Sequence, residues 1–147
     1  MTSGPYLQRV AGIVAQHGYA VQYVGGNPGT GARSFAYTVG LHTQPGRDYE
    51  LAASGLSAET SHSLLHTLAV ALVDQGFEPI EGLQVSGLLQ GGLDLRLRQV
   101  DRPEDLGIVH ALYGVTPTLW QAVWPDKYNR FLGDAHCQLP SESQPLL

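Results

Sequence analysis

Leu7, Val10, Ile13 and Val14 recur at helical spacing near the start of the chain, so residues 5–17 are expected to form a short helix with one apolar face. Gly18 follows, where a glycine commonly closes a helix. Residues 19–24 carry strand-forming side chains, and 25–31 hold so much Gly that they read as a loop. A second strand is expected over 34–41, a turn at Gln44, Pro45 and Gly46, and a third strand over 49–54. The clearest helix comes next. Ser57 suits its N-cap, Glu59 its first turn, Leu65, Leu68 and Leu72 one stripe, and Gly76 its end. Residues 83–89 read as a strand and Gly91 with Gly92 as a turn. Leu93, Leu95 and Leu97 then alternate with Asp94, Arg96 and Arg98, as a half-buried strand does. A helix over 103–113 and a strand over 119–124 follow, ended by Pro125 and Asp126.

Strands and helices do not alternate regularly in this order, which argues against a fully parallel sheet. The expected fold class is α+β: a mainly antiparallel sheet of about five to six strands, with about three helices packed on it. No internal repeat or interdomain linker shows. Residues 1–132 read as a single α+β domain and 133–147 as a loosely structured tail.

The chain has 147 residues, the size of one ordinary domain. Only 14% are charged, and with 18 Gly and 9 Pro this fits a globular chain with many turns rather than a disordered one. The net charge is -5, Lys127 is the one lysine, and no basic run exists, so no nucleic-acid partner is expected. Cys137 stands alone, which rules out an intrachain disulfide and points to a reducing compartment. The N-terminus lacks a basic segment followed by an apolar core, and no apolar stretch is long enough to span a bilayer. A cytoplasmic protein without a membrane partner is the expectation.

Three short signatures fail on their surroundings, and a fourth is missing. Gly26 to Gly31 has phosphate-loop spacing, but Ala32 and Arg33 follow where Lys and Ser or Thr would stand, and a strand comes next instead of a helix. Trp124, Pro125 and Asp126 with His136 and Cys137 look like tyrosine phosphatase pieces. Ser143 stands where that chemistry needs Arg, and no helix follows to activate the thiol. No Gly-x-Ser-x-Gly elbow is present. His62 and His66 lie one turn apart on the clearest helix, as zinc ligands do, but no third ligand is evident nearby, so neither metal nor cofactor is expected.

Two stretches place small and polar residues where structural strands more often carry Val, Ile or Leu. In the second strand Phe35, Tyr37, Val39 and Leu41 alternate with Ala36, Thr38, Gly40 and His42. In the third, Glu50, Ala52 and Ser54 share a face; in the last, Gln121 and Val123 oppose Trp120, Ala122 and Trp124. A sheet that aligned Thr38, Gly40, Glu50 and Gln121 would form a shallow polar floor, with Trp124 and Asp126 at its rim.

Phe35-x-Tyr37-Thr38-x-Gly40-Leu41, then Glu50-Leu51, then Gln121-x-x-Trp124-Pro125-Asp126 before Arg130-Phe131, resembles the bacterial family known as domain of unknown function 4262 (DUF4262). Gly18-Tyr19, Val24 and the closing residues 144–147 fit it too. The resemblance implies no activity. It singles out Tyr37, Thr38, Gly40, Leu41, Glu50, Gln121, Trp124, Pro125 and Asp126 as signature positions. Asp48 and Tyr49 stand where the family usually has His-Pro, and Leu132 where it usually has Pro. The first departure removes a candidate catalytic His.

The expected function is therefore a small binding module for a protein or a small polar ligand, with Tyr37, Thr38, Gly40, Glu50, Gln121, Trp124 and Asp126 as binding residues. The alternative is a hydrolase-type enzyme using Glu50 or Asp126 as general acid or base. Pairing with a second copy of the chain stays open.

Overall fold

A computed structural model gives the fold and describes residues 4–26, 29, 34–101, 107–140 and 142–147. Helix α1, Pro5–His17, starts with Pro in its first turn and ends at Gly18, whose N–H bonds Val14 O at 2.7 Å. Strands β1, Ala20–Val24, and β2, Phe35–Val39, follow, then a single 3-10 turn, Leu41–Thr43, and β3, Tyr49–Ser54. Helix α2, Ala58–Asp74, has Ser57 as its cap, with Oγ accepting from Thr60 N at 3.1 Å. After it come β4, Gln84–Val85; β5, Leu95–Gln99; α3, Gly107–Tyr113; and β6, Thr118–Val123.

These strands form one sheet in the order β1-β2-β3-β6-β5-β4. Among the described residues β3 and β6 pair in parallel, while the other neighbours are antiparallel. The fold is α+β, with a mixed six-stranded sheet and three helices packed on it.

Both faces of the sheet are covered. On one, Leu64, Leu65, Leu68 and Leu72 of α2 pack against Leu51, Leu97 and Trp120. On the other, Val10 of α1 and Val109 of α3 pack against Tyr37, Val39, Ala52 and Leu119. Every residue of β3 is buried, as befits a central strand roofed on both sides.

The structure departs from the sequence expectation at several boundaries. The second strand stops at Val39 instead of continuing to Leu41, because Gly40 turns left-handed at φ 92° and starts the 3-10 turn. Leu41 and His42 thus leave the alternation assigned to them. The strand expected over 83–89 shrinks to Gln84–Val85; Gly87, at φ 84°, bends the chain soon after. The helix expected over 103–113 is seen as Gly107–Tyr113, and its first expected turn lies outside the described residues. So do residues 27, 28, 30 and 31 of the Gly-rich loop, and residues 32 and 33 after it. Residues 133–147 carry no helix or strand among those described, yet Gln144 is fully buried.

Candidate functional site

Glu50 enters β3 beside the turn at Gly40, and its carboxylate is fully enclosed. Oε1 accepts from Thr38 Oγ1 at 2.6 Å and Leu41 N at 3.2 Å. Oε2 accepts from Gly40 N at 3.1 Å, His42 N at 3.1 Å and His42 Nδ1 at 2.5 Å. A carboxylate offers about four lone-pair positions, so these donors saturate it. Strand alternation places Thr38 with Ala36, across the sheet from Tyr37 and Val39. Thr38 still reaches Glu50 because it sits where the β2–β3 ladder ends: its Oγ1 also accepts from Leu51 N at 2.8 Å, replacing a ladder bond.

Gly40 is required by space as well as by φ. A Cβ there would lie 2.7 Å from Val14 Cγ1 and 2.8 Å from the Tyr113 hydroxyl. Tyr113 meets His42 edge-on, with ring centroids 4.8 Å apart. Burial pushes the Tyr113 hydroxyl pKa up, and the nearby Glu50 adds to the shift. Tyr37, almost fully buried, accepts from Ile108 N at 3.4 Å and ties β2 to α3.

Gln121 makes a second cluster. Its Oε1 accepts from Arg98 Nη1 at 3.1 Å and Leu147 N at 2.9 Å, while Nε2 donates to Ser54 Oγ at 3.1 Å and Pro145 O at 2.9 Å. All four bonds of the amide are made. Ser54 Oγ donates to Pro145 O at 2.6 Å and Arg98 Nη1 to Leu147 O at 2.7 Å. Just beyond the end of β6, the Gln144 side chain imitates a pairing strand: Oε1 takes Trp124 N at 2.7 Å and Nε2 gives to Trp124 O at 2.9 Å. The indole Nε1 of Trp124 donates to Ser54 O at 2.9 Å. Pro145 and Leu147, near the end of the chain, therefore take two of the four bonds of Gln121, and Ser54 and Arg98 take the others.

Asp126 organises a third cluster. Its Oδ1 accepts from Tyr128 N and Arg130 N, both at 2.9 Å, and its Oδ2 from Gln138 N at 2.8 Å and Arg130 Nε at 3.3 Å. Burial pushes the carboxyl up, but the Gln138, Arg130 and Tyr128 N–H groups with the Arg130 charge outweigh it and bring the pKa down to about 2. Asp134, held by Phe131 N–H and Arg96, is lowered too.

These values fix a pH response. The unfolded chain protonates Asp126 near pH ~3.9, while the folded chain holds its carboxylate down to about 2. Its contribution is complete above the unfolded value and is lost as pH falls through the folded one. The 126–138 loop should therefore loosen between about pH 4 and 2, and Asp126→Asn should flatten that part of an acid titration followed by tryptophan fluorescence.

The structure brings Thr38, Gly40 and Glu50 together, with Tyr37 on the neighbouring apolar face. Gln121 and Trp124 join Ser54 and the chain end. Asp126 sits in its own loop. No side-chain hydrogen bond links the three clusters among the described residues: Ala52 is the residue paired with Gln121 in the β3–β6 ladder, and the carboxylate of Glu50 turns to the Gly40 corner instead. His42, Ser54, Arg98 and Gln144 are partners that strand alternation alone did not single out. The parity of Ser54 with Glu50 was the available signal for Ser54, whereas His42 arrives through the 3-10 turn and not by parity.

Two clefts lie elsewhere. One, of about 460 Å³, is lined by Arg47, Asp48, Tyr49, Glu78, Thr118 and Trp120 among others; Nη1 of Arg47 is buried there without a hydrogen-bond partner among the described residues. The other, of about 540 Å³, has His17, His62 and His66 in its wall. His66 Nδ1 lies 2.5 Å from the Tyr19 hydroxyl. Among the described residues no group of three or more His, Cys, Asp or Glu is placed to hold a metal. No helix among them is long and apolar enough to cross a membrane.

A family model described as Domain of unknown function (DUF4262) matches residues 13–138. No curated protein matches the chain, and no solved structure does.

Proposed function

The chain belongs to the DUF4262 family, whose description carries no activity, and from that premise we propose that it is a non-catalytic binding module for a protein segment or a small polar ligand. One observation carries this reading. Glu50 is fully buried, and both its oxygens are saturated by Thr38, His42 and the Gly40–His42 backbone. A general base needs a free lone pair within reach of a substrate proton. Asp126 is in the same condition, with its carboxylate committed to the 126–138 loop. In this reading the signature residues set the scaffold, and recognition falls to surfaces around them. Lone Cys137 supports a reducing, cytoplasmic setting.

A second reading, a hydrolase, has one observation in its favour. Glu50 holds Nδ1 of His42, as a carboxylate orients a histidine base. Hydrogen exchange separates the two. If Glu50 is scaffold, the amides of Gly40, Leu41 and His42 exchange only on global unfolding, like those of β3. Local opening of this turn far below the global unfolding free energy would overturn the binding-module reading. So would hydrolysis lost in His42→Gln at unchanged Tm.

A further inference from the structure

Strand β1 closes one end of the sheet and has a neighbour on one side only among the described residues. Its sequence, Ala-Val-Gln-Tyr-Val, contains neither a charge nor a proline, the usual guards of an open edge. Helices α1 and α2 lie on opposite faces of the sheet. Yet one cleft is lined by Ile13 and His17 of α1, His62 and His66 of α2, and Ala20 and Val21 of β1. That cleft must wrap around the free edge of β1, with a helix on either side. A smaller cleft, about 140 Å³, continues it along the same strand past Tyr6, Arg9 and Gln22.

The ionisable side chains of the two clefts are Arg9, His17, His62, His66 and the phenols of Tyr6 and Tyr19; no carboxylate lines either one. Arg9 is the one Lys or Arg in the lining of these clefts, on a chain of net charge -5. Tyr6 and Ile13 add exposed apolar surface, at 44% and 39% accessibility. An edge strand supplies main-chain hydrogen bonds to an added strand, and the flanking walls read its alternate side chains.

Resting on the binding-module reading and giving its ligand a class, we propose that the β1 edge receives an extended, acidic segment of a partner protein as an additional strand. Carboxylates on one face of that segment meet Arg9 and His17 of α1, and apolar side chains on its other face meet Tyr19 and Val21 on the α2 side. Charge decides against a second copy as occupant, since its β1 carries no acid to meet Arg9.

The test uses the full chain and a capped peptide of about six residues alternating Val and Glu. The controls are its Val–Lys counterpart and a backbone N-methylated version. The acidic peptide should shift the amide resonances of Ala20–Val24 and the rings of His62 and His66. Both controls should bind at least about tenfold more weakly. Arg9→Glu combined with His17→Glu, both exposed positions on α1, should reverse the preference between Glu and Lys peptides at unchanged Tm. Equal binding of the N-methylated peptide overturns the proposal, as does a basic peptide that binds as well. A short oligonucleotide competing equally, or a free-chain dimer already protecting the β1 amides, also overturns it. Shifts mapping away from β1 sink the edge site and leave the binding-module reading standing. Facile opening of the Gly40 turn sinks that reading without moving the β1 shifts.

Discussion

Replacing Glu50 by Gln is expected to lower the melting temperature by about 10 °C, although the two side chains have nearly the same shape. The loss comes from donors facing donors. If the new amino group takes the Oε1 position it faces Leu41 N–H; if it takes the Oε2 position it faces Gly40 N–H and His42 N–H. Thr38 can turn its hydroxyl and His42 can change tautomer, but a backbone N–H cannot become an acceptor. Either orientation leaves at least one buried N–H unpaired and exchanges the bonds of a charged acceptor for weaker ones, on the order of 3 kcal/mol in all. Thermal denaturation followed by circular dichroism gives the answer. A shift within the error of the measurement would mean that the turn at Gly40 does not depend on this carboxylate.

Gly55→Ala is expected to release residues 143–147 from the sheet. Gly55 has φ 78°, and a Cβ on it would lie 2.0 Å from the carbonyl oxygen of Ser143 and 3.3 Å from Gln144 Cα. Those atoms belong to backbone, so no rotamer change relieves the overlap. Moving that backbone breaks the pairing of Gln144 with Trp124 and uncovers Gln121, Ser54 and Arg98. The destabilisation should be roughly 3 kcal/mol, with rapid trimming of the tail by carboxypeptidase. In a chain shortened to remove 143–147, the same substitution should cost only the left-handed strain of about 1–2 kcal/mol. The difference between the two backgrounds measures the coupling between Gly55 and the tail. Equal effects in both would show that the tail does not bear on Gly55.

Local patterns made much of this fold legible. The stripe through Leu65, Leu68 and Leu72 and the Ser57 cap announce α2. Gly18 marks the end of α1. Leu95 and Leu97 of β5 follow alternation. What alternation cannot convey is the effect of a single left-handed residue. Gly40 ends β2 early and swings three consecutive N–H groups onto Glu50, so the polar floor expected from parity becomes a closed corner. The parallel register of β3 with β6 was equally hidden, because it joins segments that no local pattern relates. Gln144 lies in a stretch without periodicity; only its side chain, standing in for a strand, places it.

The position of β6 bears on how the protein is made. It is the last of the six described strands to leave the ribosome, yet it belongs between β3 and β5 at the middle of the sheet. Until it emerges, the nascent chain holds two fragments: the β1-β2-β3 meander under α2, and the β4–β5 pair. Each presents an unpaired edge, and that of β3 is composed entirely of residues buried in the finished fold. Sheet completion is thus a late, non-local event, slow relative to hairpin and helix formation. A translation pause before residue 118 prolongs exposure of those edges and makes aggregation the main competitor of folding.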